Sequence, residues 1–171
     1  MSRLAPEGDA RFAFDWINTA LTATVLGQST PPMGSRNVGI VAAAMYDAIN
    51  SVNNASSFFQ VRVDSPGNAS AEAAAVAAAH RVLGWLYPAQ SVAFDAALAA
   101  SLAQITPGQA RNDGVAVGQA VGDRYIELRR NDNAYVNVPY DGGGNLGEWK
   151  PTLPNYEAAL AVNWPTVTPF V

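Results

Sequence analysis

Between Val38 and Met45 the chain is apolar in almost every direction that a helix could point. Val38, Val41, Met45, Ile49 and Val52 recur at steps of three and four, the spacing that stacks side chains on one helical face. The opposite side offers Gly39, Ile40, Ala43, Ala44 and Ala48, so the rod has no wide polar face to turn towards water. A helix of that kind is buried on several sides. Pro31 and Pro32 fix its start, because proline has no N–H to lose in a first turn. The remainder of the chain is expected to pack around this rod.

Charged residues make up 14% of the 171 residues and hydrophobic ones 49%. Ordinary globular domains carry about a quarter charged residues. The deficit points to surface hidden against more chain, another subunit or a partner. A net charge of −4 with no basic cluster beyond Arg129-Arg130 disfavours nucleic-acid binding, which draws on clustered Lys and Arg. The absence of cysteine excludes disulfides and thiolate metal sites. The opening Met-Ser-Arg-Leu-Ala-Pro-Glu-Gly-Asp lacks the apolar core of a signal peptide, and no run reaches the length of a membrane span. As written, the sequence suggests a cytoplasmic protein, with an exported parent still open. Asn54-Ala-Ser56 and Asn68-Ala-Ser70 fit the glycosylation pattern, which short matches often do by chance.

The fold class expected is all-α, a bundle of about five helices followed by a long extended C-terminal tail. Residues 9–26 form the first helix, with Phe12, Ala13, Trp16, Ile17, Ala20 and Leu21 on one stripe. Phe58–Val63 alternates too briefly to define a strand. A third helix opens at Ser70 as N-cap, with Glu72 placed to favour the helix dipole, and ends before Pro88. Val76, His80, Leu83 and Tyr87 share one of its faces. A fourth, about 91–105, carries Phe94, Leu98, Leu102 and Ile105. Thr106-Pro107-Gly-Gln109 reads as a capping box opening a fifth helix, lined by Val117, Val121, Tyr125 and Leu128 as far as about Arg130.

Gly114, Gly118 and Gly122 follow at four-residue steps on that fifth helix. Each costs about 0.5–1 kcal/mol against alanine in a helix interior. A repeated cost predicts that another backbone passes close by. From Asn131 the pattern changes: Tyr135, Tyr140, Trp149, Tyr156, Trp164 and Phe170 are strung between glycines and prolines without a period. The organisation expected is therefore a single helical domain over 1–171, itself incomplete, with a bundle over 1–130 and an extended wrapping segment over 131–171.

Composition and spacing give no active site. His80, the lone histidine, lies on an apolar helix face and reads as a hydrogen-bonded packing residue. Metal sites need several ligands, and none stands at a helical partner spacing from it. No Gly-x-Ser-x-Gly elbow is present. Gly142-Gly-Gly144 lacks the lysine and helix start of a phosphate loop and reads as a turn. Asp47 and Asn50 read as polar contacts to a neighbouring loop, and Glu72 and Asp95 as parts of solvated helix faces.

One ordered series of motifs does carry a resemblance. Pro31-Pro32-x-x-Ser35-Arg36-x-x-Gly39-x-x-x-Ala43-x-x-x-Asp47-Ala48 resembles the early helix of vanadium-dependent haloperoxidases, of the superfamily of type 2 phosphatidic acid phosphatases and bacterial acid phosphatases. The stretch from Ser70 to Leu83, then Phe94–Leu102, Gly147-Glu-Trp149-Lys-Pro151 and Asn163-Trp164-Pro agree in the same order. The resemblance implies an all-helical fold whose chemistry lies in a later half: Lys-x6-Arg-Pro, then Pro-Ser-Gly-His, then Ser-Arg-x5-His-x3-Asp. None of these motifs occurs in this chain, and Arg-Pro is absent altogether.

What the resemblance implies is therefore the N-terminal helical scaffold of such an enzyme. The chain alone is expected to be inactive, with no catalytic, cofactor-binding or metal residue and no cofactor of its own. Vanadate is implied for the full-length family, where peroxide-driven halide oxidation takes place. Pro32 is the one carried-over site residue, as a liner of the substrate channel. The partner implied is the missing C-terminal catalytic half or a second subunit, with homo-oligomerisation open. Two alternatives stand beside this: a stand-alone helical interaction module, and the N-terminal half of an acid-phosphatase-type relative.

Overall fold

The computed structural model describes residues 11–140, 142 and 144–170. Five α-helices follow in order: α1 Arg11–Leu26, α2 Pro31–Asn53, α3 Ala71–Leu86, α4 Ser91–Ala103 and α5 Gln109–Arg129. Single 3-10 turns occupy Pro88–Gln90 and Trp164–Thr166, and no strand forms among the described residues. The fold class is all-α, as the periodicities predict. Residues 9 and 10 of the expected first helix lie outside the described residues. The chain divides at Leu128/Arg129 into two compact units.

In the first unit the organising rod is α3, not α2. All of Ala73–Ala79 are buried, 3% exposed or less, and Val82 and Leu83 are completely enclosed. α3 packs against α1, α2 and α4. It also lies close against α5 through glycine: a Cβ on Gly118 would stand 2.8 Å from the Ala77 Cβ and press into the Ala74 carbonyl. One on Gly114 would stand 2.9 Å from the Ala73 Cβ and press into the Ser70 carbonyl. The Ser70 N–H donates directly to the Ala110 carbonyl at 2.9 Å, a backbone bond between helices that only small side chains permit. Each alanine buries little area by itself. Buried on all sides, the run instead sets how closely the helices approach.

α2 holds Ile40, Val41, Ala44, Met45 and Ala48 in the core, while Val38, Ile49 and Val52 are half-buried. Thr30 precedes it in extended conformation and Asn54 ends it in the left-handed region at φ 47°. Ser70 caps α3 as expected, its Oγ accepting from the Ala73 N–H at 3.1 Å and donating to Glu72. The capping box at Thr106 does not form. Gly108, at φ 148°, separates Pro107 from the helix, which opens at Gln109. The Gln109 side chain reaches forward to Asp113 at 2.7 Å instead of back. In α1 the buried set is Phe12, Trp16, Ala20 and Ala23, and Leu21 of the expected stripe faces out. In α5 Ile126 takes the core place expected of Leu128.

In the second unit, from Arg129, the described residues beyond the end of α5 form turns, bends and irregular chain, with the one 3-10 turn at Trp164–Thr166 among them. Tyr140 packs edge-on against Trp149, with ring centroids 5.9 Å apart, and donates its hydroxyl to the Trp149 carbonyl at 3.0 Å.

Candidate functional site

Asp47, Asn50 and Ser51 stand three and four residues apart on α2, hence on one face of its last turns. All three are buried although polar. The segment that follows the helix explains them. Asp47 Oδ1 accepts from the Phe59 N–H at 2.7 Å; Oδ2 accepts from Gln60 N–H at 2.9 Å and Val61 N–H at 2.8 Å. The Tyr125 hydroxyl, arriving from α5, donates to Oδ2 at 2.6 Å. Asn50 Oδ1 accepts from the Ala55 and Ser56 N–H groups, its amide donates to the Ser56 carbonyl, and Ser51 Oγ accepts from Val63 N–H. Tyr46 donates to the Ser57 carbonyl at 2.8 Å.

Backbone polar groups of residues 55–63 thus find their partners on one helix face instead of in a sheet, which is why the brief alternation at Phe58–Val63 makes no strand. Buried backbone groups need such partners. Asp47 and Asn50 have the role that their sequence positions suggested, contacts to a loop. Tyr125 is the member that sequence could not supply. Its hydroxyl is pushed far above tyrosine's ordinary range, chiefly by burial, then by the hydrogen bond and the negative charge of Asp47. Asp47 is completely buried and its two oxygens accept four hydrogen bonds from the chain itself, so it faces no outside substrate.

A second polar chain runs between α2 and the end of α3. Arg36 donates to Asn37 Oδ1 at 2.8 Å, Asn37 donates to the Tyr87 hydroxyl at 2.9 Å, and Ser29 Oγ lies 3.0 Å from the same hydroxyl. Pro32 sits half-buried in the first turn of this helix. A third cluster joins α1, α3 and α4. Trp16 Nε1 donates to Ser101 Oγ at 3.1 Å, and its ring meets His80 edge-on. His80 Nε2 lies 2.7 Å from Asp95 Oδ1. His80 is therefore a hydrogen-bonded packing residue, and Asp95, though exposed, is its partner rather than free surface charge.

Between α4 and α5 an open hollow of about 450 Å3 is lined by Ala99, Leu102, Ala103, Arg111, Asn112 and Val115. Arg111 already donates to the Leu102 carbonyl at 3.2 Å and the Ile105 carbonyl at 3.5 Å. A cation there complements the negative end of α4.

No protein-family model, curated protein or solved structure matches this chain. The haloperoxidase resemblance therefore stands on its motifs alone. His80 Nε2 is engaged by a carboxylate, and Lys150 lies 3.4 Å from the Gly144 carbonyl in an exposed turn. Among the described residues no group of three or more His, Asp or Glu is placed to hold a metal ion. No helix among them is long and apolar enough to cross a membrane.

The second unit contains the polar cluster that sequence reasoning missed. Arg129 pairs with Asp132 at 2.9 Å, with both side chains almost wholly buried. The guanidinium also donates to the Thr168 carbonyl at 2.9 Å and the Pro169 carbonyl at 3.2 Å, and lies 4.3 Å from the Phe170 ring centre. Asn163 donates to the Asn133 and Ala134 carbonyls, and Asn133 donates to Thr166. An Arg and an Asp three residues apart at a helix end are common surface residues. Thr168, Pro169 and Phe170 return against them, and the Thr168 N–H also donates to the Asp132 carbonyl at 2.9 Å.

Proposed function

We propose that this chain is a helical scaffold that works with a further polypeptide and performs no chemistry by itself, as the N-terminal half of a haloperoxidase-like enzyme would. The observation that carries this reading is the fate of its one fully enclosed carboxylate on α2. Both oxygens of Asp47 hold loop backbone and Tyr125 in place. A general acid or base must instead reach the proton of a substrate. Among the other buried polar side chains, Asn50, Ser51, Arg129 and Asn163 likewise bind main chain, while Arg36, Asn37 and Ser101 bond to other side chains. The catalytic half would bring vanadate and the cationic groups around it, and Pro32 would line the substrate channel. An acid-phosphatase-type parent would use the same scaffold.

Isothermal titration of the purified chain with vanadate and with phosphate tests this, alongside turnover assays with peroxide and bromide and with a phosphate ester. Neither binding nor turnover is expected. Stoichiometric vanadate binding or turnover without added protein would overturn the proposal.

A second reading has its own support. Leu146, Leu153, Tyr135 and Tyr156 of the second unit are all more than 60% exposed. Apolar side chains left open in one segment suit an interaction module in which 131–171 wraps a partner. A monomer that melts cooperatively at low concentration favours this module; aggregation through exposed apolar faces favours the scaffold of a larger enzyme.

A further inference from the structure

The hollow between α4 and α5 is apolar on most sides and cationic on one. Ala99 stands three residues before Leu102 and four before Ala103, so all three lie on one face of the last turns of α4. Arg111, Asn112 and Val115 line it from the first two turns of α5. Its volume, about 450 Å3, lies within the range of sites that take small molecules.

Its cation lacks a counter-charge. Arg111 is part-buried, and its Nη1 donates to the Leu102 and Ile105 carbonyls. Those bonds orient the guanidinium and leave Nε and Nη2 without an acceptor among the described residues. No carboxylate among them pairs with it. Every acidic side chain of α4 and α5 is engaged elsewhere. Asp95 lies 2.7 Å from His80, and Asp113 accepts from Gln109 at 2.7 Å. Asp123 pairs with Arg81 at 2.6 Å, and Glu127 with Arg124 at 3.3 Å. Asp113 also leaves α5 roughly 150° around the helix from the residues that line the hollow. A charge partly withdrawn from water is stabilised by an opposite charge, and this chain supplies none there.

We infer that the hollow binds a small apolar monocarboxylate, a short fatty acid in chemical class. Nε and Nη2 form one edge of the guanidinium, a fork that matches the two oxygens of a carboxylate. The exposed Asn112 amide adds a donor beside it. The hydrocarbon tail lies against Ala99, Leu102, Ala103 and Val115, from which it displaces water. An inorganic anion would gain the fork alone and nothing from those walls. The hollow is open, so the site is weak and its ligand exchanges freely. The inference rests on two helices of the first unit and does not depend on which enzyme the scaffold serves.

Amide NMR of the full chain, titrated with hexanoate to millimolar concentration, provides the test. Saturable shifts are expected at Ala99, Leu102, Ala103 and Val115, with α1 and α2 unmoved. Hexanamide, which has the same tail without the charge, should bind at least about tenfold more weakly. Acetate and inorganic phosphate should leave those amides in place. Arg111→Gln should weaken hexanoate binding at least about tenfold, but it also frees the end of α4. Ala103→Phe therefore serves as a second variant: residue 103 is exposed, so the larger ring fills the hollow with the guanidinium left in place. It too should abolish the shifts. Absence of saturable shifts at these four amides would overturn the proposal, as would hexanoate binding that survives both substitutions. Equal binding of hexanamide would remove the ionic half of the inference, and equal binding of phosphate the apolar half.

Discussion

Asp47 and Tyr125, 78 residues apart in the chain, meet at 2.6 Å inside the first unit. The contact ties the last turns of α2 to α5 and, through the same carboxylate, to the backbone at Phe59–Val61. Replacing Asp47 with alanine strands the buried Val61 N–H and Tyr125 hydroxyl and removes the acceptor of the part-buried Phe59 and Gln60 N–H groups. Each stranded buried group costs about 1–3 kcal/mol, so a total loss of at least about 3–5 kcal/mol is expected. Against a typical net stability of about 5–15 kcal/mol, that is a large fraction. Urea unfolding of Asp47→Ala measures it. Asp47→Asn should do almost as badly, because an amide NH2 would face donors. A loss below about 1 kcal/mol would mean that the loop is held by something else.

Tyr125 predicts behaviour in alkali. Burial, and then Asp47, keep its hydroxyl protonated in the folded chain far above the tyrosine's ordinary value of 10.0. The unfolded chain releases that proton from about pH 10 upward. The folded state therefore binds more protons than the unfolded one in that range. The contribution is complete below about pH 10 and falls as pH rises, by about 1.4 kcal/mol per pH unit. Tyr125→Phe should lose about 1.5–3 kcal/mol at neutral pH, the value of a hydrogen bond to a charged group, and show a shallower decline between pH 10 and 11.5. Equal slopes in the two proteins would refute the assignment.

Two glycine-to-alanine substitutions should have opposite signs. Gly118 faces α3 so closely that an added Cβ would meet Ala77 at 2.8 Å and the Ala74 carbonyl. Forcing the helices apart is expected to cost about 1–3 kcal/mol. Gly84 lies within α3, yet nothing stands within 4 Å of the Cβ it lacks. Gly84→Ala should stabilise by about 0.5–1 kcal/mol, the ordinary helical preference. Thermal melts of both variants compare them directly.

The signals that sequence carried well were local or repeated. Ser70 lies at its cap because the N-cap bond needs only the next three residues. The glycines at 114, 118 and 122 announced a close neighbour, since a cost repeated at one helical phase requires a common cause. Thr106 to Gln109 failed because Gly108 turns the backbone at positive φ before the helix begins. Leu21 failed for another reason: the stripe on α1 is really two opposed faces, and hydrophobicity does not say which of them meets the chain's own core. Asp47 showed that something had to satisfy a carboxylate in an apolar helix. That the partner is Tyr125 depends on how α5 returns past α2, which no local pattern encodes.

Arg129 and Asp132 make the last prediction, confined to the second unit. Their side chains are 3% and 1% exposed, and the guanidinium also holds the Thr168 and Pro169 carbonyls and lies over Phe170. Breaking a buried pair by removing one member costs about 3–5 kcal/mol, because the other charge stays enclosed. A segment with so small a core relaxes locally rather than bear that cost. In Asp132→Asn, residues 163–170 should release from the end of α5, with faster amide exchange at Thr168 and readier proteolytic cleavage. Amides of α3 should keep their protection. Arg129→Lys should fail to restore order, since an ammonium cannot pair with Asp132, reach two carbonyls and stack on Phe170 at once. Full protection of Thr168 in Arg129→Lys would show that charge alone, and not the planar fork, holds the segment.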